Sequence, residues 1–453
     1  MSVETQCLVS LQMVLLLWFA AIGGLSAQSL TLDSCKTLAL QNNAEVKNAA
    51  LDVEAAREVK RQAFTKYFPQ VSAMAGGYYA LKPLIEFGID GIENASARQW
   101  LHDLYFEYGS SLGLPNSISL CENGLSVGGL LTQPVYMGGQ IANGNRLATV
   151  GVEAAELQSR LAADNLLRQV EETYWMTVSL YEKRKTLQQA LAFLDTLHRD
   201  VTAAADAGLV TKNDILKVSL KQDEMRSNIL KVNNGILLSS MLLCQTIGIE
   251  YSDNLTLTDT VFAESELMTP SDTSVSEAVG RRIESQLLGL QVSAAKLRKK
   301  MVVGESLPHL LVGGTVSYGN LIFDNYGSNA LAFATLQFPL TGWWETSHKI
   351  RQQNLLIQKA ENDREDLMQK MELETRRAWS EVEEAQSQME LAASSVRNAE
   401  ANLQDARTNF SAGLIPVSEL LEAQTLHMQA RNRRTDALID LHVKSYRYAQ
   451  LVK

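Results

Sequence analysis

The residues that could do chemistry are few and scattered. Gly124-Leu125-Ser126-Val127-Gly128 has the spacing of a nucleophile elbow, in which a serine is held on a tight turn between a strand and a helix. Here strand-like sequence and Pro134 follow where that turn needs a helix, so the pattern carries no hydrolase reading. Gly139 through Gly144 begins like a phosphate-binding loop, but Asn145-Arg146 stands where Lys and Ser or Thr would be needed. His102, His198, His309, His348, His427 and His442 include no pair at metal-ligand spacing. Cys7, Cys35, Cys121 and Cys244 are too widely spread to read as a disulfide framework or a metal knuckle. The expectation is no enzyme, no cofactor and no metal. What remains is a set of charges at two places. Glu419 and Glu422, three residues apart, share one helix face, where two acids in the first turns complement the helix dipole. Thr211 and Asp214 have capping-box spacing, and Lys217 lies one turn beyond Asp214.

Both sets sit just after a turn. Ala207-Gly208-Leu209-Val210 and Ala412-Gly413-Leu414-Ile415 are 205 positions apart, and glycine at the end of a helix readily takes the left-handed conformation that reverses the chain. In the second copy Pro416 falls in the first turn of the next helix, where proline is tolerated. No proline occurs between residues 135 and 269 or between 340 and 415. Helical pattern fills about 140–206 and about 343–411, each on the order of 100 Å at 1.5 Å per residue. Along the second, Val382, Ala385, Met389, Ala392, Val396, Ala399, Leu403, Ala406 and Phe410 recur at alternating steps of three and four, a coiled-coil seam. Leu180, Leu187, Leu191, Leu194, Val201 and Ala205 hold the rougher seam of the first, interrupted by Arg184 and His198. The fold class expected is mainly α with a small β part, built on two long helical hairpins.

Four segments read as strands, about 70–80, 124–135, 309–319 and 329–339. Each has the roughly 9–11 residues of a transmembrane β-strand. Tyr136, Trp343 and Trp344 flank their ends, where aromatic girdles meet a lipid interface. The halves align in order: Phe68-Pro69 with Leu307-Pro308, Gln133-Pro134 with Phe338-Pro339, Tyr174 with Trp379, and Gly208 with Gly413. An insert at 81–123 in the first half accounts for the change in offset. The organisation expected is a signal peptide over 1–27, a first repeat over 28–249, a Thr-, Ser- and Asp-rich linker over 250–274 and a second repeat over 275–453. A net charge of −10 argues against a general nucleic-acid binder.

With this order of motifs the sequence resembles the TolC-like outer-membrane efflux proteins over nearly all of its length after residue 27. The residues carrying the likeness are the Phe-Pro and Leu-Pro strand entries, Gln133-Pro134-Val135-Tyr136, Phe338-Pro339-Leu340 and the two Ala-Gly-Leu tips. The resemblance implies a homotrimer in the outer membrane of a Gram-negative bacterium. Three chains would contribute four strands each to a twelve-stranded barrel, continued by an α-helical periplasmic tunnel. It implies a passive exit duct for efflux or type I secretion that meets a periplasmic adaptor and an inner-membrane pump. Physics agrees on the need for copies, because four strands leave two open edges that lipid does not tolerate. By the same resemblance Glu419 and Glu422 form stacked carboxylate rings at a periplasmic gate, which would favour cations. Gly208, Leu209, Val210, Gly413, Leu414 and Ile415 would meet the adaptor; Thr211, Asp214 and Lys217 would cap or pair at the first tip. The insert would form an external loop. The competing reading is a periplasmic coiled-coil scaffold without a pore.

Overall fold

The computed structural model describes residues 29–81, 85–109, 117–120, 123–252, 256–258, 275–320, 326–340 and 342–453. The expected signal peptide, Cys7, Cys121, most of the linker and parts of the insert lie outside the described residues. The elements in chain order are β1 (Ser29–Leu30), α1 (Leu32–Asn42), α2 (Ala44–Thr65), β2 (Gln70–Tyr79), β3 (Ile85–Gly88), α3 (Ala95–Leu104), β4 (Ser117–Leu120), β5 (Asn123–Met137) and α4 (Gln140–Asp206). After the first tip come α5 (Lys212–Ile247), β6 (Thr256–Leu257), α6 (Val275–Arg281), α7 (Ile283–Glu305), β7 (His309–Gly319), β8 (Gly327–Gln337), α8 (Trp343–Ser411) and α9 (Val417–Val452). The protein is mainly helical with a small antiparallel sheet. No helix among the described residues is long and apolar enough to cross a membrane.

The chain divides into two compact units. One comprises Ala55–Glu153 and Leu290–Asn362; the other comprises Met1–Glu54, Ala154–Gly289 and Asp363–Lys453. The first contains the sheet, ordered β2-β5-β7-β8, with every neighbouring pair antiparallel. Pro134 has no N–H to give to a ladder, and it sits where the β5–β7 register shifts between Pro134 and Tyr136. At the strand ends Gly138, at φ +59, faces Gly304 so closely that a Cβ on Gly138 would lie 2.1 Å from the Gly304 carbonyl oxygen. Only glycine fits there. Within the insert β3 pairs with β4, and Asn94 caps α3 by accepting hydrogen bonds from the Ser96 and Ala97 N–H groups at 3.1 Å each.

The second unit is packed by helical seams. On α8 every expected seam residue from Val382 to Phe410 is buried or half-buried. Toward the tip of α4 the buried hydrophobic positions are Leu187, Ala190, Leu194, Leu197 and Val201, a regular alternation of three and four that includes two residues absent from the seam read in the sequence. The interruptions have partners: His198 Nε2 is 3.2 Å from Ser219 Oγ, and Arg184 lies over the Tyr181 ring. Residues of both hairpins, among them Leu197, Val201, Val218, Leu403, Ala406, Val417 and Leu420, form a single core. Each large aliphatic side chain fully buried in it contributes about 1.5–3 kcal/mol. A second core holds Tyr174, Trp175 and the thiols of Cys35 and Cys244.

Candidate functional site

In an antiparallel sheet directly opposed residues point to the same side, so the register sorts the side chains into two faces. One ladder runs Val71, Leu131, Gly314, Ala332, and another runs Ala73, Gly129, Val316, Ala330. Tyr79, Leu125, Val127, Tyr318, Ala334 and Leu336 extend this face, which is apolar over its central length. The ladders between them run Met74, Gly128, Ser317, Asn329 and Gly76, Ser126, Gly319, Gly327. That opposite face is mostly small or polar, with Met74, Tyr78, Leu130, Leu311, Leu331 and Phe333 as its large members. Ser126 of the elbow-like pattern is thus an ordinary mid-strand residue.

Among the described residues nothing covers the apolar face: Val71, Leu125, Val127, Val316 and Leu336 are all exposed. A contiguous apolar patch of this kind marks a surface meant for another apolar phase. The four strands also contain no Lys, Arg, Asp or Glu. β2 and β8 pair on one side only, which leaves two open edges. Tyr136 and Trp344 are exposed at the strand ends, and Trp344 is 80% exposed. The Trp343 side chain lies outside what the structure describes.

The two tips are turned by the same hydrogen bonds. At the first, the Gly208 N–H donates to the Ala205 carbonyl at 2.9 Å and the Leu209 N–H to the Ala204 carbonyl at 2.8 Å. At the second, the Gly413 N–H donates to the Phe410 carbonyl and the Leu414 N–H to the Asn409 carbonyl, both at 2.9 Å. These are paired Schellman turns, with φ of +75 at Gly208 and +72 at Gly413. Leu209 and Leu414 point outward, 79% and 73% exposed. Val210 and Ile415 instead pack against the shared core.

After the turns the tips diverge. The Asp214 carboxylate accepts hydrogen bonds from the Thr211 hydroxyl at 2.8 Å, the Thr211 N–H at 3.2 Å and the Lys217 ammonium at 3.1 Å. Those from the Thr211 hydroxyl and then Lys217 hold its carboxyl below the usual carboxylate range. Lys217 therefore pairs within its own helix. Pro416 is the N-cap of α9, with extended φ −76 and ψ 161, rather than a first-turn residue as its position in the sequence suggests. Glu419 and Glu422 are exposed on the side of α9 away from the buried Val417, Leu420 and Ala423. Among the described residues no hydrogen bond or ion pair engages either carboxylate.

One charged cluster gave no sequence signal. Glu171 of α4 is buried, with Oε2 2.6 Å from Lys36 Nζ of α1. Its Oε1 is 2.7 Å from His442 Nε2 of α9 and accepts from the Trp175 indole N–H at 3.0 Å. Burial pushes the Glu171 carboxyl up, but the bonds from His442, Lys36 and Trp175 outweigh it and leave it lowered. Lys36 and His442 are 135 and 271 positions away, too far for any local pattern. This cluster joins three helices of one unit.

No curated protein matches the sequence. A family model described as outer membrane efflux protein matches residues 290–447. That stretch is about a third of the chain. Solved structures extend the likeness to the whole fold. CusC, in crystal structures concerned with folding and transmembrane channel formation, is 16% identical, with 94% of this chain and 92% of that chain covered and a TM-score of 0.76. The CmeC outer membrane channel of Campylobacter jejuni is 15% identical over 93% of this chain and 85% of that chain, at a TM-score of 0.75. The MtrE outer membrane channel of Neisseria gonorrhoeae, in its open state, is 14% identical over 93% and 88%, at 0.73. At such identities the likeness is one of fold. The resemblance of the sequence to outer-membrane efflux proteins is thus met by the family model over residues 290–447 and by the fold over most of the chain.

Proposed function

We propose that this protein is one protomer of a passive outer-membrane exit duct for efflux or type I secretion. The observation that carries the reading is the sheet: four strands without a formal charge, one uncovered apolar face and two open edges. Lipid covers such a face, and only a closed barrel satisfies the edges. A cyclic homo-oligomer supplies the closure, and the resemblance sets its number at three. The mostly small or polar face then lines the lumen. Strands of 10–15 residues are long enough to span the hydrocarbon core.

The duct does no chemistry, so cargo movement is driven by a pump on the other side of the periplasm, reached through an adaptor. We assign the adaptor contact to the tips, with the exposed Leu209 and Leu414 as its apolar points and Gly208 and Gly413 setting their shape. Val210 and Ile415 act from below by packing. Glu419 and Glu422 are assigned to the gate because they are exposed and unneutralised, so that rings of them would attract cations. Planar-bilayer recording of the purified full-length protein tests the duct. Discrete conductance steps, together with a heat-resistant trimer in detergent extracts of outer membranes, are expected. Recovery as a soluble periplasmic monomer without conductance would end this reading.

A further inference from the structure

The helical segments that lead into and out of the sheet carry the opposite charge from the rest of the chain. Residues 55–69, 138–153, 290–308 and 338–362 hold twelve Lys and Arg against five Glu, a net +7 in a protein whose total is −10. In sequence, the connections from β2 to β5 and from β7 to β8, residues 80–122 and 320–326, hold seven Asp and Glu against two Lys and Arg, a net −5. Between them the strands carry no formal charge. The sheet-bearing unit is thus ordered as basic collar, apolar band and acidic connections.

Several collar cations have no local acid to satisfy. Arg61 pairs with Glu58, Lys296 with Glu361, and Lys349 with Glu305 and Glu345. Lys60, Lys66, Arg298, Lys300 and Arg351 are exposed and Lys299 half-exposed, and none has an acidic partner among the described residues. Lys66 stands four residues ahead of β2, and Lys299 and Lys300 stand ten and nine ahead of β7. At 1.5 Å per helical residue all three lie within about 15 Å of a strand entry. Exposed aromatics stand at the same strand ends: Phe64 packs edge-on against Tyr67 and Phe68 ahead of β2, and Phe338 and Trp344 follow β8. Aromatics at the edge of an apolar band mark its boundary with the headgroups, and a lysine just beyond meets phosphate there.

We propose that this collar is a binding surface for the headgroups of anionic phospholipid in the leaflet that borders it, with Lys66, Lys299 and Lys300 as its principal contacts. The inference rests on the membrane-spanning reading of the sheet. Each ammonium reaches a phosphodiester at the level where the apolar band ends. An anionic headgroup is favoured over a zwitterionic one because no choline or ethanolamine cation competes within the site. The bound lipid fixes the depth of the barrel through charge while the apolar face fixes it through hydrophobic contact.

The test is thermal unfolding of the full-length protein in a neutral detergent doped with phosphatidylglycerol or, at equal mole fraction, phosphatidylcholine. Phosphatidylglycerol is expected to raise the melting temperature by several degrees more. The difference should vanish at about 1 M salt, where the screening length is ~3 Å. It should fall by at least half in the triple variant Lys66→Gln, Lys299→Gln, Lys300→Gln and persist when the same lysines become Arg. Inorganic phosphate should not reproduce it. Equal shifts with the two lipids, a difference indifferent to salt, full retention in the Gln variant, or reproduction by phosphate would each overturn the proposal. If the Gln variant fails to fold, the lipid and salt arms on the unmodified protein decide. Conductance measured on the same preparation separates the outcomes, since a conducting protein without lipid preference loses the collar and keeps the duct.

Discussion

The two hairpin tips share a turn and a core, and differ in what they do with their acids. At both, a left-handed glycine reverses the chain through the same pair of hydrogen bonds and leaves a leucine exposed. At the first, Asp214 is bound by Thr211 and Lys217, so its charge is used to cap a helix. At the second, proline takes the cap position, and Glu419 and Glu422 stand free. A repeat that keeps its backbone while shifting its charges divides the labour: one tip is neutralised, the other presents charge. The comparison sets shape, common to both tips, against charge, particular to one.

The largest effect should come from the shared core. Leu420 is 2% exposed beneath the second tip, whereas Leu414 is 73% exposed on it. Leu420→Ala should destabilise by about 3 kcal/mol through lost burial and the cavity left behind. Leu414→Ala should change stability by less than about 0.5 kcal/mol yet weaken adaptor capture. Hydrogen exchange of the tip amides and pull-down by the adaptor separate the two. Equal stability losses would show that Leu414 is a packing residue. Next in size is the turn itself. A Cβ at either glycine meets open space, so Gly208→Ala and Gly413→Ala should cost about 1–2 kcal/mol each from the left-handed backbone alone. Local exchange should speed up alike at both tips. A one-sided response would break the equivalence of the turns.

Much of this frame is legible in the sequence because it rests on local rules. Absence of proline sets the long helices, the step of three and four sets the α8 seam, and Gly208 and Gly413 set the turns. The mostly helical fold with its small antiparallel sheet follows from these and from the four short segments between them. Strand pairing is less local. Which side Val71 or Val316 faces depends on which residue it opposes, and the register shift at Pro134 cannot be read from one strand. The Glu171 cluster depends on three helices meeting and is invisible to any window of sequence. At the tips, the family resemblance put Val210 and Ile415 beside Leu209 and Leu414 as contact residues. The structure separates them, because the helix seam draws the first pair inward.

Charge comes third. Glu419→Gln with Glu422→Gln should reduce cation over anion preference in planar bilayers by about tenfold, equivalent to ~1.4 kcal/mol per ion. Asp214→Asn with Lys217→Gln removes one charge of each sign from the first tip and should leave selectivity within about twofold, ~0.4 kcal/mol. A double variant at the second tip that conducts with unchanged preference would remove the gate from these glutamates. Equal losses at both tips would mean that the division of labour is wrong.

The smallest effect is also the most specific to the first tip. Asp214 has a folded-state pKa held down by the Thr211 hydroxyl and Lys217, against about 3.9 for a free aspartate. A depressed carboxyl stabilises above its unfolded pKa and loses that contribution as pH falls through its folded value. The cap at Thr211 should therefore be intact at neutral pH and weaken progressively below about pH 4. Asp214→Asn keeps the size of the side chain but gives up the charge. It should cost about 0.5–1 kcal/mol at pH 7, a typical capping loss. The expected signature is faster exchange at the first turn of α5 relative to the first turn of α9, read in one protein so that intrinsic rates cancel. The unmodified protein should show that asymmetry only in acid, and the variant at every pH. If acid loosens both first turns equally, the Asp214 bonds do not set the difference between the tips.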